Sequence, residues 1–236
     1  MIDSIVKPKK ISAVFKKQIK DTFKNKMTLI QFVMFPLLAL IFTEAIAKGQ
    51  QDLPNTFFVT MFSSIYVGMV PMVNMAAIIS EEKEQNTLKA LMLANVKPYQ
   101  YLTGTGTYVF MLCIIGAVMF GLIGGYGGMV FMKFIAAMLC GIVLSLLLGS
   151  AVGMLSKNQM SATAIVIPVS MILAFLPMIA TFNSSFESVS RFLYTQQIKY
   201  LLSNPKEMIM TLERFLIMGG NLLIFLGVFI FAYRKG

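Results

Sequence analysis

The residues that could carry a specific chemistry lie in one charged segment between two long apolar runs. Residues 79–101 read ISEEKEQNTLKALMLANVKPYQY. The pattern predicts a short helix that starts at Thr87, with the Thr87 side chain as its cap. Glu82 and Glu84 lie just upstream, where negative charge is favourable near a helix N-terminus. A helix with charge at its start suits the docking of another protein.

One face of this predicted helix is apolar. Leu88, Leu91 and Met92 share that face at helical spacing, and Pro98 closes the segment. We predict that the helix lies along the inner surface of a membrane and docks a cytoplasmic partner. The alternative is a solvated loop whose charges only mark the inner side of the membrane.

Several kinds of chemistry are excluded by residues that the sequence lacks. The 236 residues include no His, which excludes imidazole-based catalysis and haem ligation by His. They include no phosphate-binding G-x-x-x-x-G-K-[ST] motif, so the chain is not a P-loop ATPase by itself. Cys113 and Cys140 each lie inside an apolar run, where we expect neither a disulfide nor a metal site. We therefore expect no cofactor, metal or catalytic residue on this chain.

The composition places the chain in a lipid bilayer. Hydrophobic residues make up 57% and charged residues 13%, and the mean hydropathy is +0.77. At about 20 apolar residues per crossing, six spans leave little room for a second domain. We predict an all-α membrane protein with a single transmembrane domain over residues 1–236. The six predicted spans are residues 28–47, 57–79, 101–122, 129–155, 160–179 and 215–233.

Two further elements accompany the spans. Residues 9–26 alternate lysines with apolar residues at helical spacing, which predicts an amphipathic helix at the membrane interface. A disordered basic arm is the alternative. Residues 180–211 are too polar to span and too apolar for a free loop, so we predict one or two short helices that re-enter the outer interface.

The distribution of Lys and Arg predicts the orientation. With the N-terminus inside, most of the 20 basic residues fall on the inner side, so both termini are predicted to be cytoplasmic. The net charge of +10 is then a signal of topology and lipid headgroups. The basic residues lack interleaved aromatic residues, and we expect no nucleic-acid partner.

If the chain forms a transport pathway, the residues of its spans indicate the class of cargo. The bodies of the spans carry no obvious charged residue for a proton relay. Methionine accommodates varied apolar shapes, and there are 20 of them. Met72, Met75 and Met171, with the amide of Asn74, are our candidates for pathway residues. Ordinary packing is the alternative for the methionines, and a link between helices is the alternative for Asn74. We predict a hydrophobic or amphipathic cargo, such as a toxin-like or antimicrobial peptide.

The motif EKEQNTL at residues 82–88, followed by Leu91 and Val96, resembles the signature of type-two ATP-binding-cassette (ABC) permeases. In that family a Glu-x-Glu-x-Gly-Thr-Leu pattern opens the coupling helix between spans two and three, here residues 80–98. The layout of the whole chain is also similar to that of the family. Asn86 replaces the usual Gly. Among residues other than Gly, Asn best tolerates a left-handed backbone conformation, so the turn is compatible with Asn86. Thr105 stands where many relatives have Lys.

This resemblance implies the permease subunit of a bacterial exporter of peptides or drugs, located in the cell membrane. Two permease copies, identical or related, would form the pathway. Separate ATPase subunits would bind ATP and Mg beneath them. Glu82, Glu84, Thr87, Leu88 and Leu91 would couple the spans to the ATPase.

Two other functions compete with an exporter. A secondary transporter half would need inverted repeats and broken helices around a central site, and neither is evident in the sequence. A membrane immunity or accessory protein would bind a peptide without transport and would need no coupling helix. Residues 82–91 distinguish these functions, because changes there would uncouple an exporter and leave an immunity protein unaffected.

Overall fold

The computed structural model describes residues 2–24, 26–49 and 53–235, with side chains described except at 2–9, 22–28, 98 and 233–235. Regular structure in these residues is helical, and a short 3-10 turn, Ala47–Gly49, follows the second helix. The α-helices are α1 Ile2–Lys24, α2 Lys26–Ala45, α3 Phe57–Glu84, α4 Thr87–Leu93, α5 Pro98–Ile123, α6 Gly128–Leu155, α7 Gln159–Ile179, α8 Ser184–Ser190, α9 Tyr194–Ser203 and α10 Leu212–Lys235.

Six of the described helices are long and apolar enough to cross a membrane, which confirms the predicted number of spans. They are α2, α3, α5, α6, α7 and α10, with mean hydropathies of 1.7 to 2.4 in their most apolar stretches. The second span is longer than predicted, because α3 continues through residues 80–84. Charged residues such as Glu and Lys favour the helix, so the end of the apolar run does not end α3.

Helix α3 lies at the centre of the bundle and packs against α2, α5, α6, α7 and α9. Its approach to α6 is close because α6 presents glycines. A Cβ atom on Gly149 would lie 2.4 Å from the carbonyl oxygen of Met72, and one on Gly153 would lie 2.9 Å from Ile79 Cβ. Small residues at these positions let two membrane helices pack backbone to backbone.

The segment between α7 and α10 contains two short helices. Helix α9 is buried against α3, α6 and α10, with Tyr194, Ile198 and Leu202 inside the core. The Tyr194 hydroxyl lies 2.7 Å from the Ser145 hydroxyl of α6. Helix α8 is mostly exposed. The predicted helix 9–26 overlaps α1 up to Lys24, but α1 begins earlier, at Ile2, and Lys26 is the first residue of α2. Residue 25 and the side chains of Lys9, Phe23, Lys24 and Lys26 lie outside the described residues.

Candidate functional site

The predicted docking residues lie together at one end of the helix bundle. This end, called the α4 end, contains α4, the end of α3, helix α1 and the turn between α6 and α7. Lys10 of α1 reaches it, and its Nζ donates a hydrogen bond of 2.6 Å to the carbonyl oxygen of Asn95. The opposite end, called the α9 end, contains α8, α9 and the connection from α2 to α3.

A left-handed residue separates α3 from α4. Asn86 has φ +55° and is the residue that precedes α4, so the predicted tolerance of Asn for this turn is confirmed. Its side chain makes no capping hydrogen bond. The prediction that Thr87 caps α4 is wrong. Thr87 is the first residue of α4, and its hydroxyl donates to the carbonyl oxygen of Glu82, 3.1 Å away, near the end of α3.

The two carboxylates do not lie in a loop before α4. Both belong to the last turn of α3, and their carboxylates form hydrogen bonds with α1 and with the start of α7. The carboxylate of Glu84 lies at the N-terminus of α7. Its Oε2 accepts a hydrogen bond of 2.9 Å from the backbone N–H of Gln159, the first residue of that helix. There a negative charge is favourable. Glu84 thereby joins the end of α3 to the turn between α6 and α7.

Glu82 faces helix α1 and is only 5% exposed. Its Oε1 accepts hydrogen bonds from Nζ of Lys17 and from Nε2 of Gln18, the latter over 2.9 Å. Lys17 also lies 3.6 Å from Asp21 on its own helix. A buried carboxylate needs a charged and hydrogen-bonded partner, and α1 supplies both. Glu82 is therefore a link between α3 and α1, with no side-chain surface for a second protein.

Helix α4 divides its apolar residues between the bundle and the surface. Leu88 is 6% exposed and Leu91 is half-buried against the core. Met92 is exposed, and Leu93, the last residue of α4, is 89% exposed. The sequence reasoning missed Leu93. The signal was present, because consecutive apolar residues in a helix of two turns cannot all face the same side.

A groove runs beside α4. Its volume is about 610 Å³, and it lies between α4 and the turn from α6 to α7. It is lined by Lys83, Leu88, Lys89, Met92, Met154, Leu155, Ser156 and Lys157. Nζ of Lys83 donates to the carbonyl oxygen of Met154. Three lysines around apolar walls suit a partner surface that is acidic and partly apolar.

Helix α1 is packed tightly against α5 as well as linked to α3. A Cβ atom on Gly104 of α5 would lie 2.9 Å from Cβ and Cγ1 of Val14 and 3.0 Å from the carbonyl oxygen of Ile11. Val14 is buried. Helix α1 is therefore held by side-chain packing on α5, by Glu82 on α3 and by Lys10 beyond α4.

The predicted pathway residues are not brought together. Met72 and Met75 are fully buried in the core of the chain, against α6 and α5. Nδ2 of Asn74 donates to Oε1 of Gln31 on α2, over 3.1 Å, and to the carbonyl oxygen of Val70. This is the link between helices that was the alternative for Asn74. Met171 lies on an exposed face of α7.

The model of the family described as ABC-2 type transporter matches residues 9–203, most of the chain. The chain belongs to the ABC-2 type transporter family. It is accordingly the permease component of an ABC transporter, a multi-pass membrane protein with an ATPase as its partner, and permease components are not themselves catalytic. No curated protein matches it. The match covers this permease from α1 to the end of α9.

Proposed function

We propose that this permease is the pathway-forming subunit of an ATP-driven exporter. Two copies of it, or one copy and a related chain, assemble around the pathway, and separate ATPase subunits bind and hydrolyse ATP below. Both termini are cytoplasmic, the membrane is the bacterial cell membrane, and the α4 end faces the cytoplasm. The family match and the distribution of basic residues support this arrangement.

In this proposal α4 is the coupling helix. The observation that carries it is the division of α4, in which Leu88 is buried in the bundle while Leu93 is almost fully exposed. An apolar side chain held outside the membrane on a fixed helix suits a pocket on a soluble partner. The groove with Lys83, Lys89 and Lys157 extends the same surface and favours acidic residues on the ATPase.

The other predicted coupling residues act inside the permease. Glu82 fixes α1 to the end of α3, and Glu84 fixes the start of α7 to it. Thr87 closes the turn between α3 and α4, and Leu88 and Leu91 anchor α4. A displacement of α4 by the ATPase would therefore reach α1, α3 and α7 together. Rigid-body motion of linked helices is a common way to open and close a pathway.

The amphipathic helix α1 and the segment of α8 and α9 complete the proposal. Helix α1 lies at the cytoplasmic interface and moves with α4. Helices α8 and α9 re-enter the membrane from the outside and close the outer end of the chain. The cargo is amphipathic or hydrophobic, and a peptide toxin or antimicrobial peptide fits. Among the four predicted pathway residues, Met171 is the one exposed on the surface of its own chain and available to face cargo.

Co-purification tests the proposed function. The tagged chain is extracted from its native membrane in mild detergent, and an ATPase with nucleotide-binding motifs is expected to accompany it. Leu93→Asp should reduce the association about tenfold or more, because an exposed apolar anchor is replaced by a charge. Val189→Asp, on an exposed residue of α8 at the α9 end, is the matched control and should retain the ATPase. A chain that purifies alone, or equal binding by both variants, would contradict the proposal.

A further inference from the structure

A cavity of about 210 Å³ lies at the α9 end, away from the proposed coupling surface. It is enclosed by the start of α3, the end of α7 and helix α9. Most of its wall is apolar, contributed by Pro54, Phe57, Met61, Met178 and Phe182. Two polar groups in the wall, the amine of Lys199 and the hydroxyl of Ser64, lack the partners that their chemistry calls for.

Lys199 of α9 is half-buried and has neutral hydrogen-bond partners. Its Nζ donates to the carbonyl oxygen of Pro177, 2.7 Å away, and to Oγ1 of Thr181, 2.5 Å away. It forms no ion pair with any residue that the structure describes. Burial lowers the pKa of Lys199, and the opposing influence of Glu187 on α8 is smaller. An ammonium group in such a place is stabilised by an added negative charge.

Ser64 of α3 is 3% exposed, and its Oγ has no hydrogen-bond partner in the structure. It lines the same cavity, next to Thr60, whose hydroxyl makes one long hydrogen bond of 3.4 Å to the carbonyl oxygen of Leu202. Buried hydroxyl groups in native proteins are nearly always satisfied. Ser64 Oγ is shielded from the open space of the cavity as it stands. Rotation about χ1 would turn the hydroxyl into the cavity, where a polar atom of a bound molecule would satisfy it.

We propose that this cavity binds an anionic amphiphile, with an acidic headgroup at Lys199 and an apolar chain among Phe57, Met61 and Met178. The apolar wall accepts the chain, and the unneutralised ammonium selects the sign of the headgroup. The inference deepens the proposed function and rests on it in one respect: in an exporter the bound amphiphile represents the cargo class. The binding itself requires neither an ATPase nor transport.

Fluorescence quenching can test this inference, because the chain contains no Trp. Phe182→Trp places one reporter in the wall of the cavity, on an exposed side chain. The full chain with this change is reconstituted in nanodiscs of zwitterionic lipid. It is titrated with 12-bromododecanoate and, separately, with 12-bromododecyltrimethylammonium, which have the same chain length and opposite charge. We expect the carboxylate to bind about tenfold more tightly.

Variants then assign the selectivity to the cavity. Lys199→Gln should abolish the preference for the carboxylate, and Lys199→Arg should retain it. Lys133→Gln is the matched control, because Lys133 lies at the same end of the bundle, is half-buried like Lys199, and donates to the carbonyl oxygen of Lys206 outside the cavity. It should leave the preference unchanged. Ser64→Ala should weaken binding several-fold without lowering the melting temperature, since Ser64 Oγ has no partner to lose.

Equal binding of the two probes would overturn the inference, as would a preference that survives in Lys199→Gln. If Lys199→Gln fails to fold, the comparison of the two probes in the reporter chain and the Lys199→Arg variant still decide the question. If the cavity shows no preference for the carboxylate, the test of the proposed function by co-purification of an ATPase is unaffected. Conversely, a chain that binds the carboxylate selectively but has no ATPase partner would support the binding site in the cavity and contradict the exporter function.

Discussion

Gln18 of helix α1 donates a hydrogen bond of 2.9 Å to the buried carboxylate of Glu82, in the last turn of α3. Lys17 binds the same oxygen atom. These contacts join helix α1 to Glu82, which lies six positions before the buried Leu88 of α4. Glu82 therefore serves as an internal link of the permease. In the function proposed above, α4 and the groove beside it form the surface for the ATPase.

Removing the charge of Glu82 should loosen α1. In Glu82→Gln, Lys17 loses its buried counter-charge, and we expect a destabilisation of about 2 kcal/mol, below the value for a fully buried pair because Lys17 is 31% exposed. Denaturant titration and the rate of proteolysis of α1 measure it. Glu44→Gln, in the exposed pair with Lys48, is the control, with an expected cost below about 0.5 kcal/mol. Equal costs for the two variants would show that the link is unimportant.

The contact of α1 with α5 depends on Gly104. Gly104→Ala should destabilise the chain by about 1–3 kcal/mol, because the new methyl group meets Val14 and the backbone of Ile11. Gly106→Ala on the same helix is the matched control, since its methyl group would meet nothing closer than the Met75 methyl at 3.8 Å. It should be neutral or slightly stabilising. Thermal unfolding in detergent compares the two, and a reversed order would disprove the packing of α1 on α5.

The turn between α3 and α4 requires a residue that accepts positive φ. Asn86→Gly should fold with unchanged or slightly higher stability, and Asn86→Val should cost about 1–2 kcal/mol. Because the turn sets the direction of α4, the Val variant should also retain less ATPase on purification. Measuring melting temperature and co-purified ATPase in both variants tests this. Full retention of both properties by Asn86→Val would mean that the turn is not left-handed.

The three lysines that line the groove beside α4 should strengthen binding of the ATPase through their charge. The double change Lys89→Glu and Lys157→Glu reverses two of its three ammonium groups, and we expect weaker ATPase binding with a reduced sensitivity to salt. Lys48→Glu with Lys133→Glu, at the α9 end, is the control; Lys48 is exposed and Lys133 is half-buried. Binding of the purified ATPase at two salt concentrations gives the result. An equal effect of both pairs would point to net charge rather than to the groove.

Much of the fold could be predicted from the sequence, because the spans depend on hydropathy and the left-handed turn on Asn86 itself. The position of Glu82 in the last turn of α3 could not be predicted from the sequence. A charged stretch after an apolar run can begin a loop or extend the helix. Here the helix propensity of residues 80–84 favours the helix, and α3 continues to Glu84. Met72 and Met75 could not be placed either. In a membrane span the faces toward core, lipid and pathway are all apolar, so the pattern does not distinguish them.

Photo-cross-linking from α4 in the native membrane tests most directly whether α4 contacts the ATPase. A photoreactive amino acid replaces Leu93, and, in a second strain, Val189 on α8. We expect the residue at position 93 to form an adduct with an ATPase that contains nucleotide-binding motifs, and we expect the addition of ATP to change the yield of this adduct. Val189 should form no such adduct. Absence of an ATPase adduct at Leu93, or equal adducts at both positions, would contradict the claim that α4 couples this permease to its ATPase.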